Sequence, residues 1–180
     1  MSIKKAGAAL LIASSIGTAF ANVCITAPGK IVCGSGEVDH LSGNGVVKVS
    51  GTSINGLTSV NGALSADNAH FTGIDVNGKT SLMQCLVKGD VSIKGVLEAN
   101  ATKFDSSIDL HTGKSNFNKS IVKGDLNIRK TSDVEQIVYI ENSSEIDGDV
   151  IFDSGQGEVI LSSDSRIKGS VIGGNVVNKN

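Results

Sequence analysis

Between residues 54 and 128, single apolar residues and apolar-x-apolar triplets recur between short runs of Gly, Asn, Asp, Ser and Lys. The triplets begin at Ile74 (IDV), Val91 (VSI), Ile108 (IDL) and Leu126 (LNI), with spacings of 17, 17 and 18 residues, and a further 17 back reaches Leu57. A second column runs Ile54, Phe71, Val87, Phe104 and Ile121 in steps of 16 or 17, and a looser third holds Leu64, Leu82, Leu97 and Phe117. Alternation over three residues marks a short, half-buried strand. Three columns sharing one period predict three short strands per turn of a coil. The predicted inward set is Leu57, Phe71, Ile74, Val76, Val87, Val91, Ile93, Phe104, Ile108, Leu110, Ile121, Leu126 and Ile128.

The same period appears as a duplication. IDVNGKTSLMQCLVKGDVSI (74–93) aligns with IDLHTGKSNFNKSIVKGDLNI (108–128) after one insertion. Asn-Gly at 44–45, 55–56, 61–62 and 77–78, and Gly-Asp at 89–90, 124–125 and 148–149, supply residues that tolerate the positive φ of a sharp corner. The chain's single proline, Pro28, lies before this region, as expected if strands are paired on both edges and every amide is needed. Beyond Leu126 the triplets VYI (138–140), VIF (150–152), VIL (159–161) and SVI (170–172) continue at wider spacing, so the turns lengthen toward the C-terminus. An antiparallel meander with Asn-Gly hairpins is the rival all-β reading. A meander has no reason to hold one period in three columns, whereas stacked turns do. The expected fold is an all-β, single-stranded parallel β-solenoid (β-helix) with turns of about 17 residues.

The N-terminal segment reads differently. Lys4 and Lys5, the apolar run AGAALLIASSIGTAF and the small-x-small site Ala19-Phe20-Ala21 have the form of a Sec-type signal peptide over residues 1–21. Its cleavage moves the formal charge from −2 to −4, because Lys4 and Lys5 leave with it. The expected location is the periplasm, the cell surface or the outside of the cell. The remaining organisation is an N-terminal cap over 22–46, the solenoid over 47–172 and a polar tail over 173–180. Export permits disulfides. Cys24 and Cys33 flank the turn signal Pro28-Gly29 and form a candidate bridge; two unpaired thiols, or a pairing with Cys85, are the alternatives.

Chemistry-bearing motifs are sparse. No Lys/Arg cluster offers the footprint of a nucleic-acid partner, and no later apolar run reads as a membrane span. GSGEVDHLSGNG (34–45) resembles the Gly-Asp repeats of calcium-binding β-rolls, but Asp39 is its only acid at a usable position. Asp75, Asp90, Asp105 and Asp109 read as a solvated face, and His40, His70 and His111 lack ligand spacing. The expectation is no catalytic, metal or cofactor-binding set, and no cofactor.

The phrases VKGDV (87–91), VKGDL (122–126), IDGDV (146–150) and IKGSV (167–171) resemble the repeats of bactofilin-like, polymer-forming β-helix proteins over residues 47–172. The resemblance implies a solenoid that polymerises end to end without nucleotide. Bactofilins are typically cytoplasmic, so the export signal here points to an exported variant. The expected function is non-enzymatic: a structural or adhesive protein whose partner is itself, as a homo-oligomer or filament, with cell-surface or host glycans or proteins as further partners. A carbohydrate-binding or polysaccharide-cleaving β-helix using one face as a groove is the alternative.

Overall fold

The computed structural model describes residues 23–131 and 135–179; the expected signal peptide lies outside the described residues. Within them there is no helix, and strands of 2 to 16 residues, the longest continuing from one face to the next, join one hydrogen-bonded sheet, wound into a β-solenoid of about nine turns. Successive turns pair in parallel on three faces. Ile74, Val91 and Ile108 lie in one vertical row, as do Val76, Ile93 and Leu110. This is the arrangement the shared period predicts: like residues stack because each turn must offer the next a matching inward group.

The described inward columns run nearly the full length. Face A carries Val38, Ile54, Phe71, Val87, Phe104, Val122, Ile146 and Ile167. Face B carries the row from Leu41 through Thr58, Ile74, Val91, Ile108, Leu126 and Val150 to Val171, with a second row beside it. Face C holds two adjacent columns in which bulk alternates: Leu64 beside Ala66, Thr80 beside Leu82, Leu97 beside Ala99, Ser115 beside Phe117. A large side chain in one column fills the space left by a small one in the other, so packing stays dense without a fixed residue at either position. The looser third column of the sequence is this zigzag.

Two of the predicted core residues lie elsewhere. Leu57 is outward and 51% exposed. The residue stacked on Ile74 is Thr58, because the pairing between these turns shifts register between Ile54 and Leu57. Ile121 is half-buried, and the residue stacked on Phe104 is Val122, since that turn has 18 residues rather than 17. A one-residue slip reverses the face on which a side chain falls. The other eleven predicted core residues are buried.

The corners explain the turn letters. Between faces B and C, Gly45, Gly62, Gly78 and Gly95 all have positive φ, and a Cβ on Gly78 would come within 1.8 Å of the Gly62 carbonyl oxygen. Only glycine allows the turns to close to strand spacing there. Asn44, Asn61 and Asn77, before the first three, also stack, with Asn77 Nδ2 donating to Asn61 Oδ1 at 3.2 Å. Between faces C and A, residues of positive φ (Gln84, Ala101, Lys119, Ser143) each precede a small buried residue (Cys85, Thr102, Ser120, Ser144). Those residues form a ladder up the axis: the Cys85 amide donates to Thr102 Oγ1 at 3.3 Å, Thr102 to Ser120 Oγ at 3.1 Å, and Ser120 to Ser144 Oγ at 3.0 Å. The hydroxyls satisfy corner amides inside a closed core, where an unpaired N–H is costly.

Between faces A and B lies the repeated Gly-Asp/Ser phrase. Asp125 Oδ1 accepts from the amide of Asp149 at 2.9 Å, and Asp149 Oδ1 accepts from the amide of Ser170 at 2.7 Å. Ser107 Oγ does the same for the Asp125 amide at 3.0 Å. Each acceptor caps the corner amide one turn later. The motif recurs because the corner recurs.

Candidate functional site

The chemistry-bearing side chains do not converge. His40, His70 and His111 are each exposed at separate positions, and among the described residues no three His, Cys, Asp or Glu side chains gather as a metal site. Asp75 and Asp109 share the outer side of face B with Ser92 between them in register, while Asp90 and Asp105 sit at different rungs toward the A–B corner. Asp109 is paired with Arg129 at 2.6 Å, and its charge raises the Arg129 guanidinium pKa. On the outer side of face C a shallow depression of about 450 Å³ is lined by polar groups including Glu98, Asn100, Lys114 and Asn116. The neighbouring aromatic ring, Tyr139, is covered by Lys114 Nζ at 4.7 Å from its centroid.

A charged ladder runs up the outside of face A. Lys88, Asp105, Lys123, Asp147 and Lys168 occupy the position after successive inward residues, each amide donating to the inward residue one turn below. The charges thus alternate in sign. Lys123 meets Asp147 at 2.7 Å and Lys168 meets it at 2.8 Å; Lys168 also contacts Glu145, which pairs with Arg166. Hydrogen bonds from Lys123 and then Lys168 hold the Asp147 carboxyl well below the usual carboxylate range, and Asp147 raises the Lys168 ammonium in turn. Opposite charges across a strand pair favour the native register over its slips.

The two ends differ most. At the N-terminal end, Cys24–Ala27 pairs antiparallel with Lys30–Cys33, and Cys24 is joined to Cys33 by a disulfide. Parallel stacking already begins at Lys30, which pairs with Val46, so the rung starts earlier than the expected boundary at 47. Ile31 and Cys33 are inward and buried, and the cap proper is the single strand Cys24–Ala27. Cys85 is unbonded and buried at the C–A corner, where desolvation pushes its thiol pKa up; it serves as a small member of the hydroxyl ladder.

At the C-terminal end the expected polar tail is a strand. Gly174–Lys179 pairs in parallel with Gly157–Ser162 and continues face C. With Arg166–Ile167 and Val171–Ile172 it makes the last described rung, and none of the three has a partner on its outer edge among the described residues. The inward column of face C goes from Val138 at 1% and Val159 at 0% to Val176 at 42% exposed. Ile172 and Val177 add exposed apolar surface at 49% and 44%. The doublet Val176-Val177 was the available sequence signal, obscured by Gly173-Gly174 before it and Asn178-Lys179 after it.

No protein-family model, curated protein or solved structure matches the chain. Its function is therefore argued from the geometry of the solenoid and its ends.

Proposed function

We propose that this is an exported, non-enzymatic structural or adhesive β-solenoid protein of the bacterial envelope or cell exterior, and that it self-associates through its C-terminal rung. The observation that carries the reading is the edge of Arg166–Ile167, Val171–Ile172 and Gly174–Lys179, unpaired among the described residues, over an inward valine that is 42% exposed. An unpaired strand edge is a template for another chain, and here it coincides with a core column that no described residue covers. The bactofilin-like phrases in the sequence point the same way, toward association of a small β-helix with itself. Charge on the last rung does not oppose contact, because Arg166 and Lys168 are paired downward with Glu145 and Asp147.

The test is sedimentation velocity of the mature chain, residues 22–180, across a concentration series, beside Val176→Lys. The expected result is association of the native protein, lost in Val176→Lys with an unchanged far-ultraviolet circular dichroism spectrum. A native protein that stays monomeric at all concentrations overturns the proposal.

A further inference from the structure

The two ends together determine what kind of assembly the open rung can form. We infer that the disulfide-held strand Cys24–Ala27 is a stop that limits self-association to a closed, tail-to-tail pair, the partner being a second copy joined at its own C-terminal rung; this rests on the self-association proposed above.

Head-to-tail stacking would have to extend the column of face C, setting Val176 of one copy against Ile31 of the next. Face C holds nine inward residues from Ile31 to Val176, where faces A and B hold eight each, so Ile167 and Val171 would then stop one rung short of Val38 and Leu41. On face C that requires the outer edge of Lys30–Cys33 to be free. It is taken: residues 24–27 pair with residues 33–30 along all four positions. The cap runs antiparallel to the rest of the solenoid, so it does not reproduce the parallel edge beneath it. Its Cys24 is bonded to Cys33, whose side chain belongs to the core column and is 1% exposed. The blocking strand is thus tied covalently to a buried residue and cannot fray away while the bond is intact.

The C-terminal rung carries no such strand among the described residues, and it can be matched by its own copy. A two-fold axis through face C sets Gly174–Lys179 antiparallel to its counterpart. The same axis sets Arg166–Ile167 of each copy over Val171–Ile172 of the other. Every unpaired edge then meets an edge, and Ile167, Val171 and Val176 are covered by the same residues of the second copy. Such an isologous contact closes on itself, whereas a head-to-tail contact propagates.

Two measurements on the mature chain test this. Val177 is outward and near the middle of its strand, so Val177→Cys in a Cys85→Ser background is oxidised with copper phenanthroline. Tail-to-tail pairing brings the two introduced sulfurs together near the two-fold axis, so rapid formation of a covalent dimer is expected. Head-to-tail stacking holds them about nine rungs, or roughly 40 Å, apart at about 4.8 Å each, and an associated protein that fails to cross-link overturns the inference while leaving self-association standing. In the second measurement, Cys24→Ser with Ile25→Pro and Thr26→Pro removes the bond and the cap's pairing. Electron microscopy should show dimers for the native protein and elongated stacks, joined through the freed edge of face C, for this variant. Stacks formed by the native protein with its disulfide intact overturn the stop.

Discussion

Ile93 and Ser92 are adjacent in sequence and opposite in environment, so substitutions there separate the core from the surface. Ile93 is fully buried between Val76 and Leu110, whereas Ser92 is outward between Asp75 and Asp109. Ile93→Asp loses the burial of an isoleucine, about 1.5–3 kcal/mol. It also places an unpartnered carboxyl in the core, which adds about 1–3 kcal/mol even when protonated. The sum, about 2.5–6 kcal/mol, is comparable to the roughly 5–15 kcal/mol that holds a domain folded. Ser92→Asp, outward, is not neutral either, because it would insert a third carboxylate into an acidic column. At a rung spacing near 5 Å in water, one unit charge contributes about 0.8 kcal/mol, and Asp109 is already answered by Arg129. Asp75 then dominates, so Ser92→Asp should lose, and Ser92→Lys gain, about 0.8 kcal/mol at low salt. Physiological salt, with a Debye length of about 8 Å, should roughly halve both. Urea denaturation at neutral pH, at low and at physiological salt, reads all three. If Ile93→Asp unfolds like the native protein, or the two Ser92 variants shift in the same direction, the register described here is wrong.

Gly78→Ala should cost several kcal/mol and reduce expression of folded protein, because φ is 144° and the new Cβ would meet the Gly62 carbonyl oxygen; a melting curve unchanged from the native one would contradict the corner geometry. Thr58→Val should stabilise by about 1 kcal/mol, since the Thr58 hydroxyl is buried on face B without a hydrogen-bond partner; thermal unfolding checks the sign. Asp147→Asn tests the charged ladder. The Asp147 carboxyl is depressed in the folded protein by Lys123 and Lys168, so its stabilising contribution is present above the unfolded value, near pH 4, and is lost as pH falls toward the folded value. The stability difference between native protein and Asp147→Asn should therefore be constant at neutral pH and shrink on acidification below about pH 4; a difference that grows there refutes the ladder.

The period was legible because inward positions tolerate few substitutes, and Ile74, Val76, Val91, Ile93, Ile108 and Leu110 repeat in apolar character at nearly constant spacing. It failed where turn length changed by one. From Phe71 to Ile74 the A–B corner is one residue shorter than from Val87 to Val91, so counting back 17 from Ile74 lands on Leu57 instead of Thr58. Polarity concealed the true position. At Ile121-Val122 both residues are apolar, and only register distinguishes them. The hydroxyl ladder of Thr102, Ser120 and Ser144 was illegible for another reason: buried corner hydroxyls have the composition of surface loops. The Cys24–Cys33 pairing was visible as two cysteines around a turn, but the antiparallel direction of the capping strand was not. That direction depends on an edge formed with residues 46–49 of the next turn. The exposed C-terminal rung is likewise a property of stacking. Val176 is as apolar as Val159, and only the lack of a described strand above it changes its exposure.

Rung spacing is the quantity on which the whole account depends. Ser59, Asn127 and Ile151 share the outer side of face B, with Asn127 four rungs and Ile151 five rungs from Ser59. Paired spin labels at 59 and 127, then at 59 and 151, in a Cys85→Ser background should give pulsed-resonance distances near 19 and 24 Å at about 4.8 Å per rung. The predicted increment is one rung, although the chain between Asn127 and Ile151 is 24 residues long. Distances that stay level or fall between the two pairs, as a folded-back meander gives, would contradict the solenoid.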